Sequence, residues 1–467
     1  MAGLELYKPP IPEIPEKVSF FGFVRAVRSN AVRMWPRSAY EQEMVIDRQL
    51  TRTVILANAP DAIHHVLVEN AQNYRRTPAS IRVIRPIVGE GLLLSQGETW
   101  RHQRRTIAPA LAARVVPILA RHMAAVAAET VSSLTAESGP INLLATMQRV
   151  ALDIAGRSMF SLEMHAQGPA MRDHLLRYGM HLARPYFLDL FLPISIPTPH
   201  DFARRRFQAE WMGFIDALVE ARLQHPQPEK PRDLFDLMRA ARDPETGAAF
   251  TREVLRDQTA TMIVAGHETT ALTLFWACFL LAHVPEAQQR VAAEASSCDL
   301  SPEHAGEALQ FLPFTRAVVS ESLRLYPPAF ALARQAIADD QWRDIPIRRG
   351  AAVLIAPWVL HRHRRLWRDP DAFDPERFVP GAPQPPRYAY LPFGTGPRIC
   401  VGAQFALTEA TLVLAALVRS FHLTCIGEKP VLPMPVITLQ PNYPPPFLLQ
   451  PRIGLTPAGP RAVAHAA

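Results

Sequence analysis

Residues 251–283, TREVLRDQTATMIVAGHETTALTLFWACFLLAH, carry one continuous helical pattern without a proline. At ~1.5 Å per residue such a helix is roughly 50 Å long, enough to cross a whole globular protein. The stretch is also apolar enough to suggest a membrane span, but His267 and Glu268 lie near its centre, where ionisable groups are costly in lipid. The sequence therefore predicts a helix buried in the middle of a large protein.

The rest of the chain suggests a mainly α protein with small β-sheets. It has 467 residues, of which 48 % are hydrophobic and 20 % charged, so it can bury a substantial core. Strand-like segments are short and lie near the two ends, at residues 51–57, 351–358 and 436–441. We expect a proline-rich extended lead-in over residues 1–20, a single catalytic domain over residues 21–452 and a flexible tail over residues 453–467.

Charge and cysteine usage exclude several classes of function. The 50 basic and 43 acidic residues give a net charge of +7, but no basic run interleaved with aromatic residues points to nucleic acid. The N-terminus resembles neither a signal peptide nor a membrane anchor, which predicts a cytoplasmic protein. The four cysteines have no paired spacing, so a disulfide framework or a cysteine-based zinc site is not expected.

The sequence AGHETT in the middle of the long helix is a candidate for proton chemistry. Gly266 weakens a helix, and the hydroxyls of Thr269 and Thr270 can bond back to carbonyls one turn earlier. A buried Glu268 needs a partner or a raised pKa, and either makes it a candidate proton carrier. The alternative is a packing glycine followed by two ordinary threonines.

The loop FGTGPRICVG contains Cys400 immediately before a predicted helix, VGAQFALTEATLVLAALV. The N-terminus of that helix and converging N–H groups should stabilise a thiolate. A cysteine nucleophile is the competing interpretation, but no Cys–His–Asn arrangement accompanies it. Because WRHQRR offers Trp100 and Arg104 to an anion, and Arg398 lies in the loop itself, a thiolate-ligated haem with two propionates fits this set.

Five motifs together resemble the cytochrome P-450 family of haem-thiolate monooxygenases, over residues 20–452. They are WRHQR, AGHETT, ESLR, PERF and FGTGPRICVG, and they occur in the family's order. The resemblance implies the cytochrome P-450 fold, with haem b (iron protoporphyrin IX) between the long distal helix and the proximal cysteine loop. It also implies that Cys400 is the axial metal ligand, and that Glu268 and Thr269 manage protons.

The resemblance assigns further residues by position. The cofactor-binding set is Trp100, Arg104, Arg334, Phe393, Gly394, Arg398, Cys400 and Gly402. The structural ion network is Glu321, Arg324 and Arg377. The substrate pocket is Leu92, Leu93, Met262, Ala265, Ala329, Phe330, Val436 and Ile437, which predicts a hydrophobic substrate such as a fatty acid, a terpenoid or an aromatic compound. One of Arg75, Arg76, Arg82 and Arg85 could hold a substrate carboxylate.

The implied reaction inserts one oxygen atom of O2 into a C–H bond. Electrons would come ultimately from NAD(P)H through a separate reductase and a ferredoxin-type donor. This donor would dock near Cys400, where Arg398, Arg101 and Arg105 could contact it. We expect a monomer. A peroxide-driven oxidase and a non-catalytic haem-thiolate sensor or carrier are the alternatives, and the intact acid–alcohol pair favours the O2-dependent enzyme.

Overall fold

The computed structural model describes residues 6–49, 52–161, 168–186, 188–189 and 192–452. Helices dominate this part of the chain. The α-helices are α1 (Phe20–Ser29), α2 (Pro60–His64), α3 (Pro78–Val88), α4 (Gly97–Ile107), α5 (Val116–Ala136), α6 (Leu143–Phe160), α7 (Gly168–His181), α8 (Pro199–Leu223), α9 (Leu234–Ala240), α10 (Arg252–Ala282), α11 (Pro285–Ser296), α12 (Ala305–Ala308), α13 (Pro313–Leu325), α14 (Pro357–Leu360) and α15 (Ala403–Ser420).

The long helix α10 has the bounds that the sequence predicts. Thr251 caps its N-terminus, where the threonine hydroxyl accepts a hydrogen bond from the Val254 N–H at 3.3 Å. The helix runs through AGHETT without a break and ends at Ala282. Its C-terminal half is buried on all sides, and it packs against α6, α8 and α15. A buried central helix is therefore confirmed.

The strands are short, as expected, and form four small sheets. They are β1 (Met44–Gln49), β2 (Arg52–Ala57), β3 (Tyr74–Arg76), β4 (Ile141–Asn142), β5 (Leu332–Ala336), β6 (Asp340–Trp342), β7 (Ile345–Ile347), β8 (Ala352–Ile355), β9 (Phe421–Cys425), β10 (Pro433–Pro435), β11 (Leu439–Pro441) and β12 (Pro446–Pro451). The largest sheet has the order β1-β2-β8-β5-β3, in which only β2 and β8 are parallel. The predicted class, mainly α with small sheets, is confirmed.

The predicted strands differ from the observed ones in detail. The segment 351–358 is a strand only to Ile355, because Pro357 starts the short helix α14. In the segment 436–441, only Leu439–Pro441 is a strand, and residues 436–438 form the turn of the β10–β11 hairpin. The three predicted segments contain β2, β8 and β11, and none of the other nine strands of the described residues was predicted.

The proline-rich lead-in packs onto the body of the protein. Residues 6–19 contain no helix, and Tyr7 forms a single bridge to Phe373 and stacks on His283 at 4.7 Å. The expected tail, residues 453–467, lies outside the described residues. The single-domain division stays a prediction.

Two helices, Arg252–Ala282 and Ala403–Ser420, are long and apolar enough to cross a membrane by length and composition alone. Of their most apolar windows, 72 % and 61 % are buried inside the protein. Core helices of globular proteins have the same property, so this finding is weak evidence for a membrane span.

Candidate functional site

The loop before α15 places the Cys400 thiol at the start of that helix. Cys400 N–H donates to the carbonyl of Phe393 at 2.9 Å, which closes the loop into a turn. Gly394 and Gly396 both have left-handed backbone conformations, with φ of 70° and 72°. A side chain on Gly396 would overlap the carbonyl oxygen of Leu67, so the loop is pressed against the segment His65–Glu69.

The surroundings of Cys400 only partly match the expected thiolate. Protein atoms crowd the sulfur, and this desolvation raises the pKa of the Cys400 thiol above its ordinary value, although the tip of the side chain is accessible. A hydrogen bond from the Gly402 N–H and the charge of Arg104 lower the pKa, but they do not outweigh desolvation. Without a bound metal the loop favours a thiol, and a metal ion would supply the missing stabilisation.

Three arginines without a carboxylate partner lie close together beside this loop. Arg76 stands opposite Arg334 in the antiparallel β3–β5 pair, and Arg398 contributes the third guanidinium. Burial, together with the two other cations, lowers the pKa of Arg76 to about 9, and burial with Arg398 lowers that of Arg334 to about 10. Among the described residues, none of the three forms an ion pair with an acid. The cluster therefore lacks an anion.

Trp100 and Arg104, both on α4, reach the same region in different ways. The Arg398 guanidinium lies over the Trp100 ring at 4.7 Å, and it also donates to the carbonyl of Ser95 at 2.8 Å. Arg104 donates to the carbonyl of Ile399, the residue before Cys400, at 2.6 Å. Trp100 thus helps to orient Arg398. Arg104 holds the cysteine loop through the Ile399 carbonyl, and it could also contact an anion.

The acid and the alcohol predicted for proton transfer are adjacent on α10 but have separate partners. Glu268 is half-buried, and desolvation raises the pKa of its carboxyl. The Gln440 side-chain amide donates to Glu268 Oε1 at 2.5 Å, which opposes that shift. The Thr269 hydroxyl donates to the Ala265 carbonyl at 2.5 Å, and the buried Thr270 hydroxyl has no hydrogen-bond partner among the described residues.

The Glu321–Arg324 pair lies at the centre of a fully buried network. Arg324 makes two hydrogen bonds of 2.7 Å to the Glu321 carboxylate, and neither side chain is exposed to solvent. Its remaining N–H groups donate to the carbonyls of His361, Pro370 and Ala372. The network joins the motifs ESLR and PERF, because Arg377 Nε lies 3.6 Å from Glu321 Oε1.

Most of the predicted pocket residues share one apolar cluster. Leu92, Leu93, Met262, Val436 and Ile437 pack in it together with Trp100 and with Val401, which follows Cys400. Phe330 packs against a different core cluster, the one that contains the C-terminal half of α10, and Ala265 and Ala329 are exposed. The loop that carries Leu92 is clamped to α10, since Leu92 N–H donates to Gln258 Oε1 at 3.0 Å.

The four arginines considered for a substrate carboxylate have different surroundings. Arg82 is buried in an ion pair with Asp201 and also donates to loop carbonyls between α7 and α8. Arg85 pairs with Glu90 at 2.7 Å, and Arg75 is exposed and bonded to Gln335. Only Arg76 joins the cluster that lacks an anion. The sequence motifs had not assigned Arg76 to the cofactor, and its register opposite Arg334 is what reveals it.

These residues fit a haem. The thiol and the arginine cluster offer a metal ligand and a place for two carboxylates, and the cluster is electrostatically incomplete without an anion. The residues that could hold the group are Cys400, Arg76, Arg334 and Arg398, with Trp100 and Arg104 supporting them. Among the described residues, no group of three or more His, Cys, Asp and Glu side chains could hold a free metal ion instead.

The chain is similar to known proteins over almost its full length. The family model described as Cytochrome P450 matches residues 12–447. Cyclooctatin synthase from Streptomyces melanosporofaciens is 31 % identical over 398 residues, which cover 83 % of this chain and 84 % of the relative. Cytokinin hydroxylase from Arabidopsis thaliana is 30 % identical and covers 78 % of this chain and 73 % of its own. The crystal structure of a mutant cytochrome P450DA heme domain superposes with a TM-score of 0.79 at 25 % identity, covering 95 % of this chain and 98 % of that chain.

Proposed function

Since the chain belongs to the cytochrome P450 family, we propose that it inserts one oxygen atom of O2 into a C–H bond of a hydrophobic small molecule. The single observation that carries this proposal is the combination of the Cys400 thiol with three neighbouring arginines that have no acid partner among the described residues. A haem held by these residues supplies the dioxygen and one-electron chemistry that C–H oxidation requires.

The residues around the haem site hold the cofactor and support its ligand. Cys400 would provide the thiolate ligand of the iron, and Arg76, Arg334 and Arg398 would bind the propionates. Arg104 holds the loop carbonyl of Ile399 and lowers the pKa of the Cys400 thiol, so it favours the thiolate form. Phe393 accepts the Cys400 N–H and therefore fixes the turn on which the ligand sits.

Glu268 and Thr269 would manage the protons. The raised pKa of Glu268 keeps a proton on the carboxyl closer to neutral pH, which suits a general acid. The Thr269 hydroxyl donates to Ala265 O, and in turnover it would turn from that carbonyl to pass a proton onward. Thr270 is the weaker candidate, because its hydroxyl is buried deeper in the core.

The lining of the site supports an apolar, uncharged substrate. The cluster of Leu92, Met262 and Val436 offers hydrophobic contact, and Arg82 and Arg85 already have carboxylate partners. A terpenoid or an aromatic compound is therefore favoured over a fatty acid held by its carboxylate. A relative named cyclooctat-9-en-7-ol 5-monooxygenase, 32 % identical over 343 residues, supports the choice of a hydrocarbon-rich substrate.

Electrons would come from NAD(P)H through a ferredoxin-type protein and a separate reductase, with the enzyme acting as a cytoplasmic monomer. The net charge of +7 suits an acidic donor. Of the arginines considered for docking, Arg101 pairs with Glu98, and Arg105 pairs with Asp243 and Glu245. These acids partly neutralise both arginines, which weakens their attraction for an acidic donor.

The test is a titration of the purified ferric haem protein with fatty acids, terpenoids and aromatics, followed by turnover of any ligand that shifts the Soret band. The Cys400→Ser variant should lose the absorption signature of thiolate ligation. Thr269→Ala should keep ligand binding but release peroxide instead of product, and Thr269→Ser, which keeps the hydroxyl, should retain coupling. Equal coupling of NAD(P)H to product in both Thr269 variants would contradict the assigned role.

A further inference from the structure

The hairpin β10–β11 brings a glutamine from the end of the chain to the middle of α10. The Trp276 indole N–H on α10 donates to the Leu439 carbonyl at 2.9 Å, which ties the second hairpin strand to the helix. The Asn30 side chain holds the first strand through the Pro433 carbonyl, also at 2.9 Å. Trp276 lies eight residues, about two helical turns, after Glu268. Gln440 directly follows Leu439, so this anchor also fixes the backbone of Gln440 beside α10.

The Gln440 side chain contacts Glu268 and no other acid. Its amide N–H donates to Glu268 Oε1, and no cation pairs with this carboxyl among the described residues. An arginine or lysine in this place would hold the carboxylate ionised, whereas a neutral amide tolerates both protonation states. With Oε1 accepting the amide hydrogen, Oε2 is the better position for the proton of the neutral acid, and the Thr438 side chain also lowers the pKa of this carboxyl.

The same hairpin also carries predicted substrate contacts. Val436 and Ile437 form its turn and pack in the apolar cluster with Met262, which lies six residues before Glu268 on α10. A molecule bound against the turn is therefore linked to Gln440 through a few residues of a short, anchored hairpin. The β10–β11 hairpin therefore contacts both the Glu268 carboxyl and the predicted substrate pocket.

From this arrangement we propose that Gln440 is a positioning residue for proton delivery, holding Oε1 of Glu268 so that the transferable proton is presented from Oε2. The inference rests on the proposed monooxygenase function. It assigns to the C-terminal hairpin a role in the proton path in addition to lining the pocket. The amide itself gains and loses no proton, and it acts only through Glu268.

The first test does not depend on turnover. Infrared spectroscopy of the ferric haem protein should show the carbonyl band of protonated Glu268, identified by its absence in Glu268→Gln. In Gln440→Met, which has similar length but no N–H donor, the band should move to higher frequency and persist to higher pH, because the bond that lowers the pKa of Glu268 is lost. Gln450→Met, at an exposed position on β12, is the matched control and should leave the band unchanged. An unchanged band in Gln440→Met would overturn the proposal.

The second test is a double-mutant cycle on the rate of ligand-dependent NAD(P)H oxidation, using the ligand with the largest Soret shift. Gln440→Met should lower the rate about tenfold and increase the solvent deuterium isotope effect, as loss of one hydrogen bond predicts. In the Glu268→Gln background the same change should have no further effect. Additive losses would refute the positioning role. A wild-type protein without turnover would instead contradict the proposed function, and the infrared result would still decide the Gln440 contact.

Discussion

Removing the Glu321 carboxylate should destabilise the protein far more than removing a similar acid at the surface. Glu321 and Arg324 are three residues apart on α13 and are both fully buried. In Glu321→Ala the Arg324 guanidinium keeps its bonds to the carbonyls of His361, Pro370 and Ala372, but these groups do not neutralise its charge. The variant therefore contains an uncompensated buried cation.

The expected loss follows from the contacts that disappear. Breaking a buried ion pair by removing one partner costs about 3–5 kcal/mol of unfolding free energy. The Asp374 N–H, which donates to Glu321 Oε1 at 2.8 Å, also loses its acceptor. The free energy lost with this hydrogen bond is included in the same range. Glu98 and Arg101 have the same spacing on α4, but their side chains are 77 % and 48 % exposed. Glu98→Ala should cost at most about 1 kcal/mol.

Urea unfolding of the two variants and the wild type, followed by tryptophan fluorescence and far-UV circular dichroism, measures this difference. We expect a lower midpoint with an unchanged slope for Glu321→Ala, and a midpoint close to that of wild type for Glu98→Ala. The Glu321 variant should also retain less haem after gel filtration, since the network joins α13 to the PERF segment. Equal midpoints for the two variants would refute the argument from burial.

Three further outcomes are expected. Arg76→Gln should raise the unfolding free energy of the apoprotein, because burial and the charges of Arg334 and Arg398 disfavour a cation at this position, yet it should weaken haem retention; Arg75→Gln, at an exposed position, should change neither. Burial and a neighbouring arginine lower the pKa of His361 to about 3, so the unfolded chain takes up a proton near pH 6.5 while the folded chain does not, and the melting temperature should fall as the pH decreases from 6.5 towards 3. Gly396→Ala should prevent haem incorporation because its Cβ would overlap a backbone carbonyl, whereas Gly394→Ala, which has open space, should cost only about 1 kcal/mol of backbone strain.

The sequence predicted the parts of the site that depend on local chemistry. The bounds of α10 were predicted from a continuous helical pattern without a proline. The cysteine loop could be read from its glycines and from the helix that follows it. The Glu321–Arg324 pair follows from the spacing of three residues on one helix.

The contacts that depend on distant register could not be predicted. Arg76 joins the haem site only because β3 pairs with β5 and places it opposite Arg334, 258 positions later in the chain. Gln440 meets Glu268 only because the hairpin that contains the predicted segment 436–441 is tied to α10 by Trp276. Neither residue belongs to a motif, and short strands far apart in the chain carry too little local pattern to show which of them become neighbours.

The balance of charge differs between the buried Glu321–Arg324 pair and the proposed site. Around Glu321 and Arg324, the carboxylate and three backbone carbonyls accept all the N–H groups of the Arg324 guanidinium, so this pair needs nothing from outside the chain. Within the part of the chain that the structure describes, Arg76, Arg334 and Arg398 near Cys400 have no acid partner, and Glu268 on α10 has no cation partner. Charges left unpaired in this way are unfavourable for the isolated protein. An anionic cofactor would neutralise the first group and a mobile proton the second, and this is the physical argument for the proposed assignment.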